Sequence, residues 1–533
     1  MTEIKLITII FLLAGCILFF FKESLINLKV SLGQVKVNNY VYIGILLIFT
    51  FLSQNTHLHY ETIDWDTNSY LVSSLDILNG FLPYENSWES KQPLFYYIYA
   101  FLILISNFNL IIFKLLNDFI LFLISWVMFT TISARGTGAG KSFLASIFYL
   151  LLMSPTWAQV EKTELYCVLI LSFVLLIQFK FQESKYAIPF SGFLLGLSVL
   201  INLGSILFVA PALLSYPKSD FNFKKFLNSL FKFSTGFLIP IAVFSIVYVQ
   251  NNLFDIFITT NIKIPFAYTQ ESFNFIKEFS VFVKSIYNFN PFIYLSLIFL
   301  FLVSFLKILI ALKNRRNASF VFDQKTMLYL ITSLCVYYIA GHGYYHHLYY
   351  FIFFVPFLVV KYLDTFDSRN FGLLLLASIL FSSFSYFPQS FTNLKNTEEI
   401  YKNYPLYNIS KELDLIINEQ DQILATDGVL TLFYLQKSNF SYIVHPTNHK
   451  EKFITNELIE INYLIEDELV SLLNLDPKVI ICGNNTHFNC EIYDWKNNYQ
   501  ELDVKKYLEY KPYQLFNPGS EKGETVRVFI RND

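Results

Sequence analysis

The chain has 533 residues, of which 54% are hydrophobic and only 15% charged. Its mean hydropathy of +0.45 excludes an ordinary soluble enzyme and places it with polytopic membrane proteins. The net charge of −2 and the absence of a basic run give no footprint for nucleic acid.

In chain order, apolar runs able to approach the roughly 30 Å hydrocarbon core are predicted at 6–22, 40–54, 109–132, 142–158, 163–180, 186–201, 204–217, 231–250, 290–312, 326–341, 345–361 and 370–387. The first, Leu6–Phe21, lacks a small-residue cleavage site, and a second run begins near Tyr40. It is therefore expected to be a retained anchor rather than a signal peptide. Lys and Arg collect in the connections Lys22–Lys36, Arg135–Lys141, Lys180–Lys185, Lys218–Lys232, Lys313–Arg316 and Lys361–Arg369. Cytoplasmic loops carry such an excess, and if all of these face the cytoplasm, twelve spans fit with both termini outside. Pro93–Ser106 cannot then be a full span, because it would invert every later loop. It is expected to lie at the outer interface, which Tyr96, Tyr97 and Tyr99 would suit.

The same parity sends Thr56–Gln92, the turn with Glu161, Lys162 and Glu164, the loop Asn251–Asn290, Gly341–His347 and everything after about Pro388 to the outer face. All the unusual polar clusters fall on that side. The chain thus divides into a membrane domain, 1–388, and an extracytoplasmic α/β domain, 389–533. In the latter, β-like runs at Gln422–Thr426, Ser441–His445, Lys478–Cys482 and Val526–Ile530 alternate with helical stretches at Ile409–Glu419 and Asn456–Leu473. The fold class is an α-helical polytopic membrane protein, with about twelve transmembrane helices plus an interfacial helix and a small C-terminal α/β domain. Cys482 and Cys490, eight residues apart in a compartment where disulfides persist, are either bridged or two free thiols. Cys16, Cys167 and Cys335 lie in apolar runs and read as core. Gly136-x-Gly138-x-Gly140-Lys141-Ser142 lacks phosphate-loop spacing and a preceding strand, and reads as a turn.

The polar island between the second run and Ser106 is the chief functional signal, since charged groups beside lipid are expensive. It contains Asp64-Trp-Asp66-Thr-Asn-Ser-Tyr70, then Leu78-Asn-Gly80-Phe-Leu-Pro83-Tyr84, then Lys91-Gln-Pro93-Leu-Phe-Tyr96-Tyr97. This series resembles the first external loop of GT-C fold glycosyltransferases, in particular the protein O-mannosyltransferase and aminoarabinose transferase-like branch. Relatives commonly have Lys-Pro-Pro where this chain has Lys91-Gln92-Pro93. Lys114-Leu-Leu-Asn117, Glu164 at the head of a span, and His346-His347-Leu-Tyr349-Tyr350 extend the likeness.

The resemblance implies a sugar transferase that uses a polyprenyl-phosphate-linked donor. It makes Asp66 the base that takes the acceptor hydroxyl proton, with inversion at the anomeric carbon. Glu164 would orient the base or the acceptor, and Asp64 would stand beside them as a second carboxylate. Lys91, His346 and His347 suit the charge developing on the leaving phosphate, with Tyr70, Tyr84 and Tyr349 as further donor-binding candidates.

Plainer readings stand beside these. Asp64 and Asp66 suit a helix cap, Lys91 a snorkelling cation, and the two histidines interfacial packing. No cofactor is expected; a divalent cation on Asp64-x-Asp66 is the lesser alternative. Expected partners are the polyprenyl-phosphate sugar, a lipid, glycan or protein acceptor, and membrane lipids, in a bacterial inner membrane with the site outside. The alternatives are a transporter or lipid flippase, for which Lys114 and Asp118 would be the mid-span charges, and an O-antigen ligase or polymerase.

Overall fold

The computed structural model describes residues 39–61, 64–155, 158, 161–216, 223–268, 275–289, 294, 298, 324–340, 344–365, 386–483, 490, 498–508 and 526–532. The spans expected at 6–22, 290–312 and 370–387 lie outside, or almost wholly outside, the described residues. The other nine apolar runs all fall on helices.

Four helical segments have the length and apolarity to cross a membrane: Asn39–His59, Leu110–Ala134, Thr163–Lys180 and Phe223–Gln250. Shorter apolar helices include Ala139–Leu152, Ala187–Val199, Leu203–Leu214, Lys325–Ala340 and Tyr345–Val360. Gly136, at φ +82°, makes the turn between Leu110–Ala134 and Ala139–Leu152, so the glycine-rich run there is a helix connection. Ala187–Val199 and Phe223–Gln250 pack backbone against backbone. A Cβ on Gly192 would stand 2.1 Å from the Phe233 carbonyl oxygen, and one on Gly236 1.9 Å from that of Pro189. Small residues permit such approach between apolar helices, where no hydrophobic force drives association in lipid.

The outer loop is ordered by local chemistry. Asp64 caps the helix Trp65–Leu78, its Oδ1 accepting the Thr67 N–H at 3.0 Å. Gly80, at φ +94°, ends that helix. Pro93 opens the helix Pro93–Ser106, where its missing N–H costs nothing. At 14 residues this helix is about 21 Å long, short of a full crossing. Two of its three tyrosines, Tyr96 and Tyr99, are buried and do not serve as interface anchors; Tyr97 is half-buried against Phe244, while Phe101, Leu104 and Ile105 carry the exposed face. The Tyr99 hydroxyl instead donates to the Glu161 carbonyl, and Tyr96 accepts the Lys91 N–H at 3.1 Å.

The C-terminal part is α/β, around a four-stranded sheet in the order β1 (Ile423–Ala425), β2 (Val479–Gly483), β4 (Val526–Arg531), β3 (Tyr499–Leu502). β1 and β2 are parallel, whereas β4 runs antiparallel to both β2 and β3. β2 is buried along its whole length and reads as a continuous apolar run. β3 was not anticipated, because as an edge strand it carries Gln500 and Glu501 outward. Cys482 and Cys490 are bridged. The helix expected over Asn456–Leu473 is two helices, Lys452–Glu460 and Glu468–Leu473, separated where Asn462 and Asp467 adopt positive φ.

Ser441–His445, expected as a strand of this sheet, does not join it. Ile443 forms an isolated parallel bridge with Trp88 of the outer loop, and Val444 N–H donates to the Trp88 carbonyl at 3.2 Å. Further bonds fix the C-terminal part against the loop. Glu61 accepts the N–H groups of Leu406 and Tyr407 at 2.8 and 2.9 Å, and Ser438 donates to Asp76 at 2.5 Å. The two expected domains thus meet over the polar island.

Candidate active site

The island, the Glu161–Glu164 turn, the Tyr345–Leu348 turn and the C-terminal part converge on one cleft. At its centre Lys162 pairs with both loop carboxylates, with Asp64 at 2.6 Å and with Asp66. Asp66 is also hydrogen-bonded through Oδ1 to His445 Nε2 at 2.7 Å. The Lys162 side chain is buried, whereas Asp66 remains 30% exposed, so an acceptor group can reach it. The first turn of Trp65–Leu78 adds its positive helix end to the same carboxylate.

Electrostatics follow from these partners. Burial pushes the Asp66 carboxyl up, but Lys162, the His445 hydrogen bond and Lys91 hold it well below the usual carboxylate range. Burial lowers Lys162, and the two aspartates more than reverse that, raising it above an ordinary lysine. Burial likewise lowers His445, and Asp66 with Glu89 raises it above an ordinary histidine. Asp66 is therefore an ionised carboxylate held between the Lys162 ammonium and the His445 ring.

The His445 ring is itself oriented. Thr447 N–H points at its Nδ1 at 3.3 Å, with Thr447 Oγ1 at 2.9 Å. With a backbone donor facing Nδ1, the neutral ring carries its proton on Nε2, where it donates to Asp66.

Lys91 shares the cleft. Its ammonium and that of Lys162 stand 5.9 and 5.8 Å from the centre of the same Tyr70 ring. The Lys91 backbone is clamped from both sides: Tyr84 donates its hydroxyl to the Lys91 carbonyl, and Tyr96 accepts the Lys91 N–H. Tyr84 is buried and spends its hydroxyl on that clamp, so it positions Lys91 rather than facing the cleft. Tyr70 is buried too, and its hydroxyl has no hydrogen-bond partner among the described residues. Tyr349 donates to the Ala158 carbonyl at 3.1 Å from a buried position, away from a donor-binding role.

Glu164 makes no contact with Asp66 among the described residues, so of its two expected parts, orienting the base or orienting the acceptor, the first has no contact behind it. It heads the helix Thr163–Lys180, and its Oε1 is bonded to His347 Nδ1 at 3.1 Å and to Asn202 Nδ2 at 3.0 Å. Thr163 Oγ1 donates to its Oε2 at 3.0 Å. His346 stands beside His347 with ring centres 4.3 Å apart, within electrostatic reach of Glu164, Lys162 and Asp66. The site thus has the Asp64 and Asp66 carboxylates on Lys162 and a third carboxylate, Glu164, on His347.

Two of its members were not singled out by sequence. Lys162 was placed in the outer turn with Glu161 and Glu164 and given no role, although a cation between two acids was a usable signal. His445 gave none, since it joins Asp66 across 379 residues. Asp64-x-Asp66, the lesser candidate for a divalent cation, has the Lys162 ammonium between its carboxylates. Asp118 and Lys114, the mid-span charges, are buried; Lys114 donates to the Tyr60 and Glu61 carbonyls and so ties the span to the outer loop.

No protein-family model matches the sequence, and no curated protein matches it. Solved structures do. ArnT from Cupriavidus metallidurans bound to undecaprenyl phosphate superposes with a TM-score of 0.56 at 14% identity, covering 83% of this chain and 92% of that one. The apo state of the same protein gives a TM-score of 0.54 at 12% identity, with the same coverage. This likeness is one of fold, and it is the fold anticipated from the Asp66-to-Tyr97 series. The chain therefore has the ArnT-like GT-C fold.

Proposed function

We propose that the chain is a membrane glycosyltransferase that moves a sugar from a polyprenyl-phosphate-linked donor to a hydroxyl acceptor at the extracytoplasmic face. The observation that carries this reading is the Asp66 constellation: a reachable carboxylate held ionised by Lys162 and His445, with the Lys91 ammonium 5.9 Å from the Tyr70 ring centre. The ArnT structure bound to undecaprenyl phosphate supports a lipid of that class.

In this reading the acceptor hydroxyl approaches the exposed edge of Asp66. As its oxygen bonds to the anomeric carbon, the bond to the donor phosphate breaks, and the hydroxyl proton becomes acidic enough to pass to Asp66. A carboxylate with a depressed pKa is a weak base, so the transfer comes late, when positive charge has built on the attacking oxygen. Lys162 and His445 fix the direction of the carboxylate. Lys91, with His346 and His347, stabilises the leaving phosphate. Attack from the side opposite that phosphate inverts the anomeric carbon.

The transporter reading is weaker. It needs ionisable groups free along a path, and the mid-span Lys114 is spent on loop carbonyls. The test is transfer of radiolabelled sugar from synthetic polyprenyl-phosphate donors, using purified protein in detergent or liposomes with a panel of lipid and glycan acceptors. Label should move to an acceptor only in the presence of the protein. Transbilayer movement of intact donor without any transfer would favour the flippase.

A further inference from the structure

We propose that Glu164, His346 and His347 bind one divalent cation, zinc by the chemistry of the donor set, whose open coordination position takes an oxygen of the lipid phosphate. The ligand atoms these three residues offer all lie within 4.8 Å of one another. Two imidazoles and one carboxylate with a vacant fourth position form the set that catalytic zinc uses, at bond lengths near 2.0–2.2 Å. Those lengths put ligand atoms about 3.4 Å apart in a tetrahedron, so a small rotation of the side chains closes the site.

Three features argue for a cation rather than a simple hydrogen bond. First, His346 and His347 are consecutive in a tight turn, where neighbouring side chains ordinarily diverge, yet their rings are 4.3 Å apart. Two protonated rings at that distance repel, and with neutral rings only His347 is hydrogen-bonded to the carboxylate, at 3.1 Å. A divalent ion would use one nitrogen of each ring together with a Glu164 oxygen. Second, the carboxylate is already oriented from behind. Asn202 Nδ2 and Thr163 Oγ1 each donate to one Glu164 oxygen at 3.0 Å, and Asn202 is itself fixed by the Gly204 N–H at 2.9 Å. Supporting bonds of this kind orient metal ligands. Third, Lys162 does not oppose a cation, because Asp64 and Asp66 more than neutralise it. With Glu164 as the sole anionic ligand, a bound dication leaves one positive charge for an anionic phosphate.

The cation's task rests on the transferase reading above; its presence does not, and the experiment separates the two. Full-length protein carrying a histidine-free affinity tag is stripped with chelator, dialysed against micromolar zinc and assayed for bound metal by mass spectrometry. One zinc per wild-type chain is expected. Less than a tenth of that is expected in Glu164→Gln and in the His346→Ala/His347→Ala pair, with a 10–100-fold weaker affinity in Asn202→Ala. Cobalt in the same protein should give the visible absorption of a tetrahedral N/O site, lost in the same variants. Monodisperse elution of each variant in detergent establishes that it is folded. Undecaprenyl phosphate added to the cobalt protein should perturb that absorption. The proposal is overturned if folded wild-type protein takes up no stoichiometric zinc or cobalt, if the variants retain it, or if the lipid phosphate leaves the cobalt spectrum unchanged. Failure of sugar transfer with the metal signature intact would count against the enzyme reading alone.

Discussion

Replacing Lys162 with Met keeps the side-chain length and removes the one charge that both Asp64 and Asp66 share. In the wild type the Lys162 side chain is 4% exposed, against 20% for Asp64 and 30% for Asp66. Removing one partner of a fully buried pair costs about 3–5 kcal/mol. Water reaches both carboxylates here, so a loss of about 2 kcal/mol is the better expectation. The larger effect is on protonation. Without Lys162 the Asp66 carboxyl loses the strongest influence holding it down, while burial pushes it up. A base must be ionised to accept a proton, so the acid limb of the transfer rate should move to higher pH. At neutral pH kcat should fall about 100-fold, which corresponds to about 2.7 kcal/mol of barrier. Lys162→Arg, which keeps the charge, should recover most of the rate and the wild-type acid limb. The assay is initial rate of label transfer between pH 4.5 and 9, for wild type and both variants. A Lys162→Met enzyme within twofold of wild type, with an unmoved acid limb, would refute the electrostatic account of Asp66.

Further predictions concern the contact with the C-terminal part and the helix packing. The Asp66–His445 pair has two limits of opposite sign. Asp66 is depressed, so its contribution to stability is present above its ordinary value near 4 and lost as pH falls through its lower folded value. His445 is raised, so its contribution is complete below about 6.5 and lost as pH rises through its higher folded value. The stability difference between wild type and His445→Ala, followed by thermal unfolding in detergent, should therefore be largest near pH 5–6 and shrink toward pH 9. A difference independent of pH would show that the ring acts through packing alone. Gly236→Leu should abolish monodisperse protein on size exclusion, because the Pro189 carbonyl occupies its Cβ position. Gly138→Ala, with nothing within 4 Å, should elute as wild type.

Much of this architecture was readable in the chain because long apolar runs leave few alternatives. The nine apolar runs among the described residues fall on helices, and β1, β2 and β4 fall on runs expected from composition and periodicity. The Asp66-to-Tyr97 series was enough to anticipate the fold. The individual roles were less legible, for a physical reason. Hydroxyls and ammonium groups can be spent on backbone as easily as on substrate, and spacing does not say which. Tyr84 and Tyr349 were expected to face a donor, yet each satisfies a buried carbonyl. Glu164 was expected to orient the base or the acceptor, and its hydrogen bonds go to Asn202, His347 and Thr163. Lys162 and His445 were missed because each acts through tertiary contact. The strand-like stretch holding His445 pairs with Trp88 instead of the sheet, a long-range choice that local pattern does not encode.

The most direct measurement is sugar transfer by Asp66→Asn, an isosteric change that keeps the cleft's shape and removes its ionised oxygen. Label transfer should fall to background while the variant remains monodisperse and binds undecaprenyl phosphate as the wild type does. Undiminished transfer by Asp66→Asn would contradict the central claim that this carboxylate takes the acceptor's proton.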